Sequence, residues 1–239
     1  MSERGEETRD EVHRRFQVWG WQGAPARRYA LLVAGYFRTR GPFGVEGEDK
    51  YLALPDGAGL AMIEWIEASA DHPLTLAERL DAARAVAMFE DVRLRRSQRD
   101  ACAHPFDRFA ALDCLPLALD DPQRSAARLI LFPDSIPADE PWMLNSPPQY
   151  QAVLQVMECL CPASWDYTAV GWAPPPDIVS FTRRVYERRS FADLPILADM
   201  LENAGCPDRL LLDHCRHGDH FRGCAAVDRI LGHRQANFT

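Results

Sequence analysis

Apolar residues recur at helical intervals along most of this chain and rarely alternate. Leu60, Ile63 and Ile66 keep that spacing, as do Leu76, Leu80, Ala83, Ala87 and Leu94. Val153, Leu154, Val156, Met157 and Leu160 resume it, and Ile178, Phe181 and Val185, then Leu197, Met200 and Leu201, carry it toward the end. The punctuation agrees. Helices are predicted from Arg9 to Trp19, stopped by Gly20, Gly23 and Pro25, and from Ala26 to Arg38, stopped before Gly41-Pro42. Thr75 and Glu78 form a capping box that opens the longest helix, running to about Ala101. Ser146 and Gln149 form a second, with Pro147 at the first helical position. Asp177–Arg188, Phe191–Asn203, Asp208–Arg216 and Arg222–Leu231 read as four short helices, with Gly205 and Gly232 as left-handed caps. The predicted class is all-α, an irregular helical bundle. It leaves room for one short β hairpin near 43–55, with Tyr51–Leu54 as its strand.

Proline divides this pattern. Residues 1–114 are expected to form an N-terminal helical body and 146–239 a C-terminal helical module. Between them 115–145 is a proline-rich connecting segment with one helix at Gln123–Leu131. At 239 residues and 47% apolar composition the chain can bury a sizeable core. The first fifteen residues are charged and polar, with no secretory signal, and no apolar run approaches membrane-spanning length. A cytoplasmic protein with reduced cysteines is the expectation, with no membrane partner. The formal net charge of −8 argues against a general nucleic-acid binder.

Candidate chemistry concentrates in the tail. Three of seven cysteines and four of seven histidines lie between Cys206 and His233. The run reads Ala204-Gly205-Cys206, His214-Cys215-Arg216, then His220-Phe221-Arg222-Gly223-Cys224, closing on Val227-Asp228 and Leu231-Gly232. These residues, with Pro176–Val179 and Ile196–Asp199 before them, resemble the C-terminal module of a large uncharacterised protein family typical of planctomycete-type bacteria. The likeness is specific over 175–233 and weaker over 27–87, where Arg27–Arg38 and Ala61–Arg84 resemble the family's opening helix pair. Family members often carry a cysteine cluster in the first of those helices; here the position reads Val33-Ala34-Gly35-Tyr36-Phe37. The resemblance implies a fold and no reaction.

Three functional readings compete. The favoured one is a non-enzymatic helical protein that needs no cofactor and binds a protein partner, as an accessory subunit of a larger bacterial complex. Abundant aromatic residues without a complete catalytic constellation motivate it. Its candidate binding residues are Arg183, Arg184, Arg188, Trp165 and Trp172. The alternative is a metal-dependent or cysteine-nucleophile enzyme, or a structural zinc site, built on Cys206, His214, Cys215, His220 and Cys224. His220 and Cys224 would share a helix face, though the close paired hooks typical of zinc sites are missing. Against it stands the tendency of cysteine to pack as a small buried hydrophobe. The third reading is local nucleic-acid contact, direct or through a larger complex. It would use Arg93, Arg95, Arg96 and Arg99 or the arginines of 183–189.

Overall fold

A computed structural model describes residues 3–21, 25–39, 58–99, 114–131, 147–162 and 172–233. The fold is all-α. Its helices are α1 (Glu3–Trp21), α2 (Ala26–Thr39), α3 (Ala58–Asp71), α4 (Leu76–Arg99), α5 (Cys114–Asp120), α6 (Pro122–Leu131) and α7 (Pro147–Leu160). The tail adds α8 (Pro176–Arg188), a 3-10 turn (Phe191–Asp193), α9 (Leu194–Asn203), α10 (Arg209–Arg216) and α11 (Ala225–Leu231). The hairpin expected near 43–55, the Ser146 cap and Trp165 lie outside the described residues, as do the side chains of Arg93, Arg95, Arg96 and Arg99.

The chain divides into two compact units, 1–153 and 154–239, with the boundary inside α7. In the first unit α2 is the central helix. Every residue from Arg28 to Phe37 is buried, because α3, α5 and α6 pack around it. Arg38 on α2 donates to both oxygens of the buried Glu67 on α3, at 2.7 and 3.0 Å, and Arg27 reaches Asp71 one turn further along.

The N-terminus of α4 is capped as its sequence predicts. Glu78 accepts from the Thr75 amide at 2.8 Å, and Thr75 Oγ1 accepts from the Glu78 amide at 3.3 Å. Its buried face differs from expectation. Leu76, Leu80 and Met88 are 76%, 54% and 58% exposed, and Ala83 and Ala87 are exposed with them, while Ala82 and Ala85 are buried. The helix packs against α3, and the side chains it buries are small.

In the second unit α8 packs on α9 and α11, α9 on α10, and α10 on α11. Ile178, Val185, Leu194, Leu197, Leu201, Leu211, Leu212, Val227 and Ile230 fill the space between them. Three of these helices end in the same way. A residue at positive φ (Arg189 at 54°, Gly205 at 75°, Gly232 at 71°) lets the next amide bond back five residues. The acceptors are Val185, Leu201 and Asp228, at 3.0, 3.0 and 2.9 Å. Such tight stops allow four helices within about sixty residues, and they bring the cysteines and histidines of the tail within reach of one another.

Candidate metal centre

Four side chains of the second unit converge: Cys159, His214, His220 and Cys224. Cys159 occupies the last turn of α7 and His214 the last turn of α10. His220 lies in the connection between α10 and α11, and Cys224 is the N-cap residue of α11. Sequence alone puts the start of that last helix at Arg222. The structure starts it at Ala225, so His220 and Cys224 do not share a helix face. A turn at Phe221–Cys224 brings them together, closed by the Cys224 amide donating to the Phe221 carbonyl at 2.9 Å. Gly223, buried at φ 86°, supplies the left-handed step which that turn needs.

The geometry suits a tetrahedral ion. His214 Nε2 lies 3.3 Å from Cys224 Sγ, and His220 Nδ1 lies 3.7 Å from the same sulfur and 3.9 Å from Cys159 Sγ. All four ligand atoms fall within 4.8 Å of one another. A zinc ion with Zn–S of about 2.3 Å and Zn–N of about 2.0–2.1 Å has S···N edges of roughly 3.5 Å and an S···S edge of roughly 3.8 Å. The three measured S···N distances bracket that edge. Two sulfurs and two imidazole nitrogens are also the donor set zinc prefers.

Burial shapes the chemistry. Both thiols are enclosed, whereas His214 and His220 are half-buried and form the solvent side of the site. Burial opposes ionisation of Cys224, but hydrogen bonds from Cys159, His214 and His220 outweigh it and hold that thiol well below the usual range. Cys159 moves the opposite way. Burial and the neighbouring Cys224 sulfur push it well above its ordinary value, although the Phe221 amide bonds to its sulfur. Their mutual contact thus drives the two thiols in opposite directions, and a bound divalent cation would favour the ionised form of both.

The surroundings fix the donors. Asp219 accepts from Gln155 of α7 at 2.7 Å, tying the connection to the helix that carries Cys159. Asp208 caps α10 through the Leu211 amide at 3.0 Å and pairs with Arg229 of α11, holding those two helices in register. His217, by contrast, turns back to the Asp213 carbonyl at 2.9 Å and lies on the surface.

Of the five sequence candidates, His214, His220 and Cys224 enter the site; Cys206 and Cys215 do not join the four-residue group. Both are buried, and burial raises both thiols, so they fill space as protonated, weakly polar side chains. Cys159, missing from the sequence reading, completes the set from 55 positions upstream of His214. Its only sequence signal is a second cysteine two residues on, at the end of a helix before Pro162. Arg183, Arg184 and Arg188 lie on the exposed face of α8, Arg184 over the Phe181 ring at 5.7 Å, and Trp172 is half-buried just before that helix. Compared with known protein families, curated proteins and solved structures, the chain matches none.

Proposed function

We propose that the second unit is a zinc-binding helical module in which Cys159, His214, His220 and Cys224 hold one ion as a structural centre. The observation that supports this is the convergence of four ligand atoms, all within 4.8 Å of one another, from three separate segments of chain, with three S···N distances near a tetrahedral edge. Four protein ligands leave no position open for water or substrate, which distinguishes a structural centre from a catalytic one. A cysteine nucleophile would need a thiolate open to its substrate, and both thiols are enclosed. The ion would link the end of α7, the end of α10 and the start of α11, and so order the irregular connection at 217–224. Elemental analysis of protein purified without a histidine tag tests the reading. About one zinc per chain is the expected result, and metal-free protein with the native helical content would overturn it.

A protein-partner role accompanies this reading, and a separate observation favours it. Leu76, Leu80 and Met88 of α4 present large apolar side chains to solvent along one helix, as an interaction surface does. Cross-linking of the protein with its partner, mapped by mass spectrometry, should place the contact on α4. Links confined to other surfaces would count against it.

A further inference from the structure

We infer that the centre is an oxidation-sensitive switch, in which a hydroperoxide joins Cys159 to Cys224 as a disulfide and expels the metal. This rests on the zinc reading above. The observation behind it is that the two sulfur donors lie within 4.8 Å of one another and both flank the same His220 Nδ1, at 3.9 and 3.7 Å. They also terminate different elements, Cys159 in the last turn of α7 and Cys224 at the cap of α11. Bringing the sulfurs to a bonding distance of about 2.0 Å needs side-chain rotation and a small shift. The irregular connection that ends at Cys224 can absorb that shift. The half-buried histidines, rather than the thiols, form the solvent side of the site, so a small oxidant would reach the sulfurs past them.

The chemistry balances with a hydroperoxide as the sole oxidant. One thiolate sulfur attacks the peroxide, its O–O bond breaks, and the products are a sulfenic acid and water once the departing oxygen takes a proton. The second thiolate attacks the sulfenic sulfur; the S–S bond forms, the S–O bond breaks, and the leaving hydroxide takes a second proton to become water. Two electrons pass from the cysteine pair to the peroxide. A disulfide is a poor zinc ligand, and the two imidazoles left cannot retain the ion alone. The new bond preserves the tie between α7 and α11 that the ion provided, but it releases His214 and His220. Oxidation would thus loosen residues 217–223 and leave the helices joined.

The test uses the full-length, untagged, zinc-loaded protein, with its metal content measured first. Hydrogen peroxide is added, released zinc is followed with a chromogenic chelator, and disulfides are mapped by non-reducing peptide mass spectrometry. Zinc release should match the appearance of the Cys159–Cys224 cross-link one for one, and dithiothreitol with added zinc should reverse both. A Cys161→Ser, Cys206→Ser variant should respond as the parent does. Zinc retained with both thiols intact, or released with sulfinic acid or a different disulfide, would overturn the switch and leave the zinc reading standing. Protein that contains no zinc before oxidation would overturn both.

Discussion

Cys215 and Cys224 lie nine residues apart and are equally buried, yet their surroundings give them opposite chemistry. Cys215 sits inward on α10 beside Leu211 and Leu212, where burial, followed by the nearby Cys224 and Cys206, raises its thiol. Cys224 has two imidazoles and a thiol against its sulfur. On the proposed zinc reading, Cys215→Ala is therefore expected to keep the metal and to lose about 1 kcal/mol of stability through lost packing. Cys224→Ala is expected to lose the metal altogether. Zinc content and thermal melting of the two variants, measured side by side, check the contrast; equal zinc loss in both would contradict the assignment.

At the scale of elements, ion pairs and caps do different work. Glu67 is 2% exposed and is held by Arg38, which at 27% keeps some contact with water. Removing one partner of such a pair leaves a buried charge poorly compensated. Glu67→Ala should cost about 2–4 kcal/mol, less than for a fully enclosed pair because Arg38 is part-exposed, as chemical denaturation would show. The α4 cap predicts a pH response. Hydrogen bonds from the Thr75 side chain and then its backbone amide hold the Glu78 carboxyl below the ordinary range. Its folded pKa lies below the unfolded one, so the stabilisation is present above the unfolded value and disappears as pH falls through the folded value. The first turn of α4 should therefore fray in acid and stay intact near neutrality. Following Glu78 and the α4 amides by NMR during acid titration checks both the direction and the range, and Thr75→Ala, which keeps only the backbone donor, should shrink the transition.

Across the whole molecule, the centre belongs to one unit, since all four of its residues fall within 154–239. If the four residues hold zinc as proposed, chelation should accelerate amide hydrogen exchange most in 217–224, which carries no helix, and next at the ends of α10 and α11. The core of the first unit around α2 should exchange at an unchanged rate. Exchange mass spectrometry before and after chelation reports both regions in one experiment. No helix among the described residues is long and apolar enough to cross a membrane.

The helices were legible in the sequence because spacing, caps and breakers are local. The capping box at Thr75 and the left-handed glycines at 205 and 232 depend on no residue more than a few positions away. Arg189 adopts the same left-handed cap with no glycine to announce it. The buried face of α4 was not legible either. Its sequence offers both a leucine stripe and an alanine stripe, and only tertiary packing selects the alanines. The candidate metal centre divides in the same way. His214, His220 and Cys224 stood out by local density, but local density equally offered Cys206 and Cys215. Folding alone brings the end of α7 beside the start of α11, and with it Cys159. The sequence by itself determined an all-α chain with a cysteine- and histidine-rich tail, because those properties are local. Which four side chains meet, and which two only pack, was decided by tertiary structure, because ligation depends on distance through space and not on spacing along the chain.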